Sequence, residues 1–133
     1  VKRYNDELAN KLGNLVSRIS GLIEKKGIEK CDVKLLKKLD EKKIEKYFET
    51  YEFDKALNEI FRFIDECNTH VQNKKPWETG DKKVLYELKE SILKISELLL
   101  PFIPESAEKI NKQFSTKNIK KEEILFKKIE VKK

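Results

Sequence analysis

An all-α domain, folded as an antiparallel bundle of roughly four to five helices with a short C-terminal tail, is the architecture this sequence predicts. Three observations carry that expectation. Apolar residues recur at spacings of three and four along most of the chain. Only 4 glycines and 3 prolines in 133 residues leave room for few turns. Lysine and glutamate fill the positions between the apolar ones, giving 41% charged against 38% hydrophobic residues. A chain of this length suits one domain with one core; residues 1–116 are expected to form the bundle and residues 117–133 the tail.

The first helix is expected from Asn5 to about Lys26. Leu8, Leu12, Leu15, Val16, Ile19, Leu22 and Ile23 give it one continuous apolar face, and Gly27 is placed to end it. Asn14 and Arg18 stand one turn apart on the flank of that face. Gly13 and Gly21 each cost a helix about 1 kcal/mol against alanine; close approach of a backbone or ligand, or a kink, would account for them. A loop through Cys31 leads to Asp32 as N-cap of a second helix carrying Val33, Leu36, Leu39, Ile44, Tyr47 and Phe48. After a turn near Tyr51, Phe53, Ala56, Leu57, Ile60, Phe61, Ile64, Cys67 and Val71 form the strongest apolar stripe of the chain, in a third and central helix. Asn68 lies in register with that stripe, where an apolar residue belongs. The pattern stops at Pro76-Trp77, so the single tryptophan sits just past a helix end, behind a proline that cannot continue the ladder.

Glu78 to Asp81 then connect to a fourth helix through Val84, Leu85, Leu88, Ile92, Ile95, Leu98 and Leu99, with Asp81 as its N-cap. Pro101 and Pro104 bracket a break, and Pro104 fits the first position of a fifth helix through Ala107, Ile110 and Phe114. In the tail, Ile124-Leu125-Phe126 and Ile129-Glu130-Val131 read as a short extended segment or a docked strip.

The composition narrows the function. A net charge of +6 and a pI near 9.2 favour a polyanion such as nucleic acid or an acidic surface, unless the mixed lysine and glutamate are only a solvated exterior. Nearly all the positive charge is lysine; the arginines are Arg3, Arg18 and Arg62, each a candidate for work a lysine cannot do. No apolar run approaches the ~20 residues that cross a bilayer, and no secretory signal opens the chain, which points to a cytoplasmic setting. Cys31 and Cys67 are far apart and lack metal-site spacing, so neither zinc nor a disulfide is expected. There is no glycine-rich phosphate loop, no nucleophile elbow and no partner for His70, the sole histidine. The chain is therefore expected to hold no catalytic site and no cofactor. Lacking any methionine, it reads as part of a longer protein. Trp77 behind a rigid proline offers a platform on which a single-stranded base could stack, with Arg and Asn nearby as hydrogen-bonding groups; the competing reading folds Trp77 into the end of the core.

The stretch from Tyr4 to Arg18 (YNDELANKLGNLVSR) resembles the first helix of the anticodon-binding domain of methionyl-tRNA synthetases. Asn68-Thr69-His70-Val71 followed by Pro76-Trp77 is similar to the end of that family's central helix, with His70 where tyrosine is more frequent. Leu99 to Ala107 resembles the next helix junction, and Leu125 to Glu130 the segment that closes the synthetase body. The resemblance runs in order over nearly the whole chain. It implies that the bundle grips the CAU anticodon loop of methionine and initiator tRNAs. Trp77 would stack on the first anticodon base, with Pro76 fixing its approach. Arg18 would hold backbone or base edge, Asn14 would add hydrogen bonds, and Asn68 and His70 would support the corner from within. Methionine and ATP would bind an upstream catalytic domain, on whose body the tail would dock. The related domains of the leucine, isoleucine, valine and cysteine enzymes, a basic helical protein-interaction module and a free-standing RNA-binding protein are the alternatives.

Overall fold

The apolar periodicities become six α-helices in the computed structural model, which describes residue 6 and residues 8–122. A π-helical segment, Leu8–Leu12, leads into α1 (Gly13–Lys26). After a loop and a 3-10 turn at Leu35–Lys38 come α2 (Glu41–Glu49) and α3 (Phe53–Lys74). The one-turn α4 (Pro76–Thr79), α5 (Lys82–Leu99) and α6 (Pro104–Ser115) complete the order. No strand occurs among the described residues. The expected strips at Ile124-Leu125-Phe126 and Ile129-Glu130-Val131 lie outside them.

The core is the sum of the predicted faces. Leu15, Ile19, Leu57, Ile60, Ile64, Leu85, Leu88, Ile92, Ile110 and Phe114 are all 0–1% exposed. Short connections make α2, α3, α5 and α6 antiparallel neighbours in succession, and α1 lies against α5. At the end where α3 begins, Phe48, Phe53 and Phe102 close the bundle, with Phe48 5.7 Å from each of the other rings.

Three sequence expectations are corrected. The first helix is not uniform: its opening is wound as a π-helix, and Gly13 marks the change to α geometry. Gly21 needs no close backbone approach, because a Cβ placed there would meet only the Lys121 side chain, at 3.6 Å, an ordinary contact. Gly21→Ala is therefore expected to raise stability by up to ~1 kcal/mol, read as a higher urea midpoint at unchanged m-value; a lower midpoint would mean the helix needs its glycine. The third correction concerns Asp32, which caps no helix. The cap is Asp40, whose Oδ1 accepts from Lys43 N at 3.1 Å. Only a 3-10 turn forms before it, ending at an extended Leu39, and Arg62 Nη2, reaching over from α3, donates to the Lys38 carbonyl at 2.6 Å. Gly27, by contrast, ends α1 as expected, at φ 81° with its N–H on the Ile23 carbonyl at 2.7 Å.

Candidate nucleic-acid interface

The corner carrying the tryptophan is built by local backbone rules. Lys75 adopts the left-handed conformation (φ 45°, ψ 57°) and ends α3 with its N–H on the Val71 carbonyl at 2.9 Å. A right-handed Lys75 would clash with the ring of Pro76. Pro76 then opens α4 at the position where a missing N–H costs nothing, and is itself buried. Gly80, also left-handed at φ 63°, closes this single turn, and Asp81 Oδ1 caps α5 by accepting from Lys83 N and Val84 N at 3.0 and 3.3 Å. The tryptophan is thus the second residue of its own short helix.

The proline, not the indole, plugs the core. Trp77 remains 39% exposed, and the Arg18 guanidinium carbon lies 5.7 Å from its ring centroid, in cation–π range. Together with Leu22 and Gln72 these two line a cleft of about 320 Å³. That size stands near the lower end of small-ligand pockets, ~300–1,000 Å³, and suits a single nucleobase. The cleft exists because α1 and α3 run parallel but diverge. Just before α1, Lys11 pairs with Asp65 in the middle of α3 at 3.0 Å, and the π-helical segment packs on α3. Further along, α1 leans on α5 instead, leaving Arg18 and Gln72 to face one another across open space.

Of the residues singled out in the sequence, Arg18, Trp77 and Pro76 meet at this corner. Asn14 is exposed, one turn before Arg18 on α1, and does not line the cleft itself. Lys11 and Asp65 are 54 positions apart, as are Arg18 and Gln72; this register sets Asn14 level with Asn68. The Asn68 side chain is half-buried and makes no hydrogen bond among the described residues, so the bracing expected of it has no such bond behind it. His70 faces α5 rather than the cleft, with Nε2 3.1 Å from Glu87 Oε2. The distance suits an ion pair, but the alignment falls short of a hydrogen bond. Burial pushes the His70 imidazole below its ordinary range, partly offset by the Glu87 carboxylate. Gln72 escaped notice in the sequence, and Leu22 was read there only as part of the apolar face of the first helix. Each stands four residues from a singled-out residue, Gln72 after Asn68 and before Pro76, Leu22 after Arg18, and that one-turn spacing was the available signal.

At the helix ends flanking the Trp77 corner, Lys25, Lys26, Lys74, Lys75, Lys82 and Lys83 form no ion pair among the described residues, whereas Lys38, Lys55 and Lys94 are neutralised by glutamates elsewhere. Lys25, Lys26 and Lys74 also sit in the last turns of their helices, where the backbone dipole favours them. An exposed aromatic ring, a guanidinium and uncommitted ammonium groups form the constellation that holds an unstacked base and its phosphates. No group of three or more potential metal ligands occurs among the described residues, and no helix there is long and apolar enough to cross a membrane.

The family model for the anticodon-binding domain of tRNA ligases matches residues 32–132. The chain belongs to that family. Its curated relatives include the methionine–tRNA ligase of Fusobacterium nucleatum, 32% identical over 85% of this chain, and that of Clostridium tetani, 35% identical over 86%. The methionine–tRNA ligase of Rickettsia conorii is 33% identical over 96% of the chain. The chain spans only 21% of the length of the first two and 28% of the third. The tail begins by lying back on the bundle: Ile119 is buried, Gln113 Nε2 donates to the Lys120 carbonyl at 2.8 Å, and Lys121 N donates to Glu24 Oε2 at 3.1 Å.

Proposed function

We propose that this chain reads the CAU anticodon of methionine and initiator tRNAs in the cytoplasm, as the anticodon-binding part of a methionine–tRNA ligase. The observation that carries the reading is the base-sized cleft in which an exposed Trp77 faces Arg18 in a chain of the anticodon-binding family. Trp77 takes the first anticodon base on its face, Pro76 fixes the ring, and Arg18 holds the base edge or the adjoining phosphate. Asn14, one turn back, bonds the neighbouring nucleotide, while Asn68, by packing rather than by a hydrogen bond, and His70, against α5, support the corner. The surrounding lysines supply a salt-dependent attraction for the loop backbone. ATP and methionine bind the ligase's catalytic domain, against which the end of the 117–133 tail docks; methionine–tRNA ligation is the activity of the whole protein.

Trp77, the single tryptophan, reports on its own site. Its fluorescence is expected to be quenched on titration with an anticodon stem-loop bearing CAU, at low and moderate salt, and much less by the same hairpin bearing UAU. Equal quenching by both would reduce the surface to a general RNA-binding face. No quenching by either, from a helical and folded chain, would refute anticodon reading by this domain.

A further inference from the structure

We propose that His70 and Glu87 form a proton-sensitive latch between α3 and α5, closed while the imidazole is neutral and weakened when it takes up a second proton. The latch is a property of the bundle itself, with or without bound RNA. His70 is the sole histidine, and both side chains are only 16% exposed, so the pair sits where two helices meet rather than on the solvated face. Nε2 lies 3.1 Å from Glu87 Oε2, yet it is buried, and its alignment with that oxygen falls short of a hydrogen bond. A neutral imidazole with its one proton on Nε2 tolerates this geometry, as a dipole leaning on a carboxylate. An imidazolium demands more. A charged N–H out of reach of water needs a well-aligned acceptor, and Nε2 has none among the described residues.

The surrounding charges also oppose a cation here. Lys74 stands one turn further along α3, and Lys38 acts on the ring from the 3-10 turn. Lys38 is itself paired with Glu66, one turn back on α3, at 3.5 Å. On α5, Glu87 supplies the attraction, with Lys83 one turn before it. Cys31, in the loop before the 3-10 turn, donates to the Lys83 carbonyl at 3.4 Å, and burial and Glu87 push its thiol up, so it stays neutral near neutral pH. Burial outweighs Glu87, and the folded ring resists protonation. The unfolded imidazole protonates near its ordinary value of 6.5 and the folded one lower, so between the two the unfolded chain binds more protons. Stability is therefore full above about pH 6.5 and falls as the pH drops below it, until the folded ring protonates too.

The test is urea denaturation of the chain at about pH 7.5 and about pH 5.5, a window in which no other side chain of this sequence has its ordinary titration. The folding equilibrium constant is expected to drop on acidification by up to about tenfold, the limit for one group a pH unit below its unfolded value. His70→Phe keeps a ring of similar bulk and should be flat over the same range. Glu87→Gln removes the attraction for a cation and leaves a hydrogen-bonding end, so it should deepen the drop toward the tenfold limit. An ordinary histidine–glutamate ion pair would do the reverse: stability would rise on acidification, and the rise would vanish in Glu87→Gln. That pattern, a flat response of the unaltered chain, or a drop that persists in His70→Phe would overturn the latch. Should His70→Phe not fold, Glu87→Gln decides: a deeper drop upholds the latch and a shallower one sinks it.

Discussion

Trp77→Ala is expected to weaken binding of the CAU hairpin by roughly 5- to 150-fold, the equivalent of ~1–3 kcal/mol for one base stacked on an aromatic ring. The effect should be large because the ring is the only exposed aromatic in the cleft, and small on stability because the core-filling role at this corner belongs to the buried Pro76. The melting temperature should therefore hardly move. Loss of the Arg18 contact removes only a partly solvated cation–π pair, ~0.5–1 kcal/mol. The informative control is the salt dependence. Lysine contacts with phosphate survive the substitution, so the slope of log affinity against log salt should match that of the parent chain. Trp77→Phe should recover part of the binding. If Trp77→Ala bound the hairpin as well as the parent, the ring would be a surface residue and the base would be held elsewhere; if it unfolded the chain, Trp77 would be a core cap after all.

Arg62→Ala should cost the most stability of any single polar substitution considered, about 1–3 kcal/mol. The reason lies with its partners. Glu59 is only 7% exposed, and its carboxylate receives Arg62 Nε at 3.0 and 3.1 Å and Nη2 at 2.6 Å. The same Nη2 also donates to the Lys38 carbonyl at 2.6 Å, the bond that ends the 3-10 turn before α2. Removing the guanidinium strands a buried carboxylate and frees the loop between α1 and α2 in one step. The arginine side chain is itself 46% exposed, so solvent screening keeps the loss well below that of a fully buried pair. Arg62→Lys should recover little, because a single ammonium cannot span two carboxylate oxygens and a carbonyl. Urea denaturation reads the difference directly. The double variant Glu59→Gln/Arg62→Ala should be more stable than Arg62→Ala alone, and a double variant that is worse would show that the burial of Glu59 is not the cause. Hairpin binding by the folded fraction should be unaffected, since Arg62 sits ten residues, about 15 Å of helix, from Gln72.

These two residues show how differently the two arginine roles were marked. That Arg18 and Arg62 were out of place in a lysine-rich chain was visible in composition, and Arg18 also stood inside a motif. Arg62's second partner was not visible: Glu59 is a helix neighbour three residues back, but the Lys38 carbonyl lies 24 positions away across a loop. As a local signal Asp32 was as good an N-cap as Asp40, and the helix begins at the second of them, just past the carbonyl that Arg62 reaches.

Periodicity determined the class, the helices and most of the core. An apolar stripe at 3.6-residue spacing has one stable use in water, which is burial against other stripes, and short links leave antiparallel packing as the simple solution. The Pro-Trp corner was also local, because a proline bars the preceding residue from helix, and suits the first position of a new one, for steric reasons that need no partner. The tertiary structure decided everything that depends on two helices drifting apart. The divergence of α1 from α3, which opens the cleft and brings Gln72 opposite Arg18, follows from how each helix leans on α5. That balance is made of many distant contacts, each small, and no window of neighbouring residues contains it.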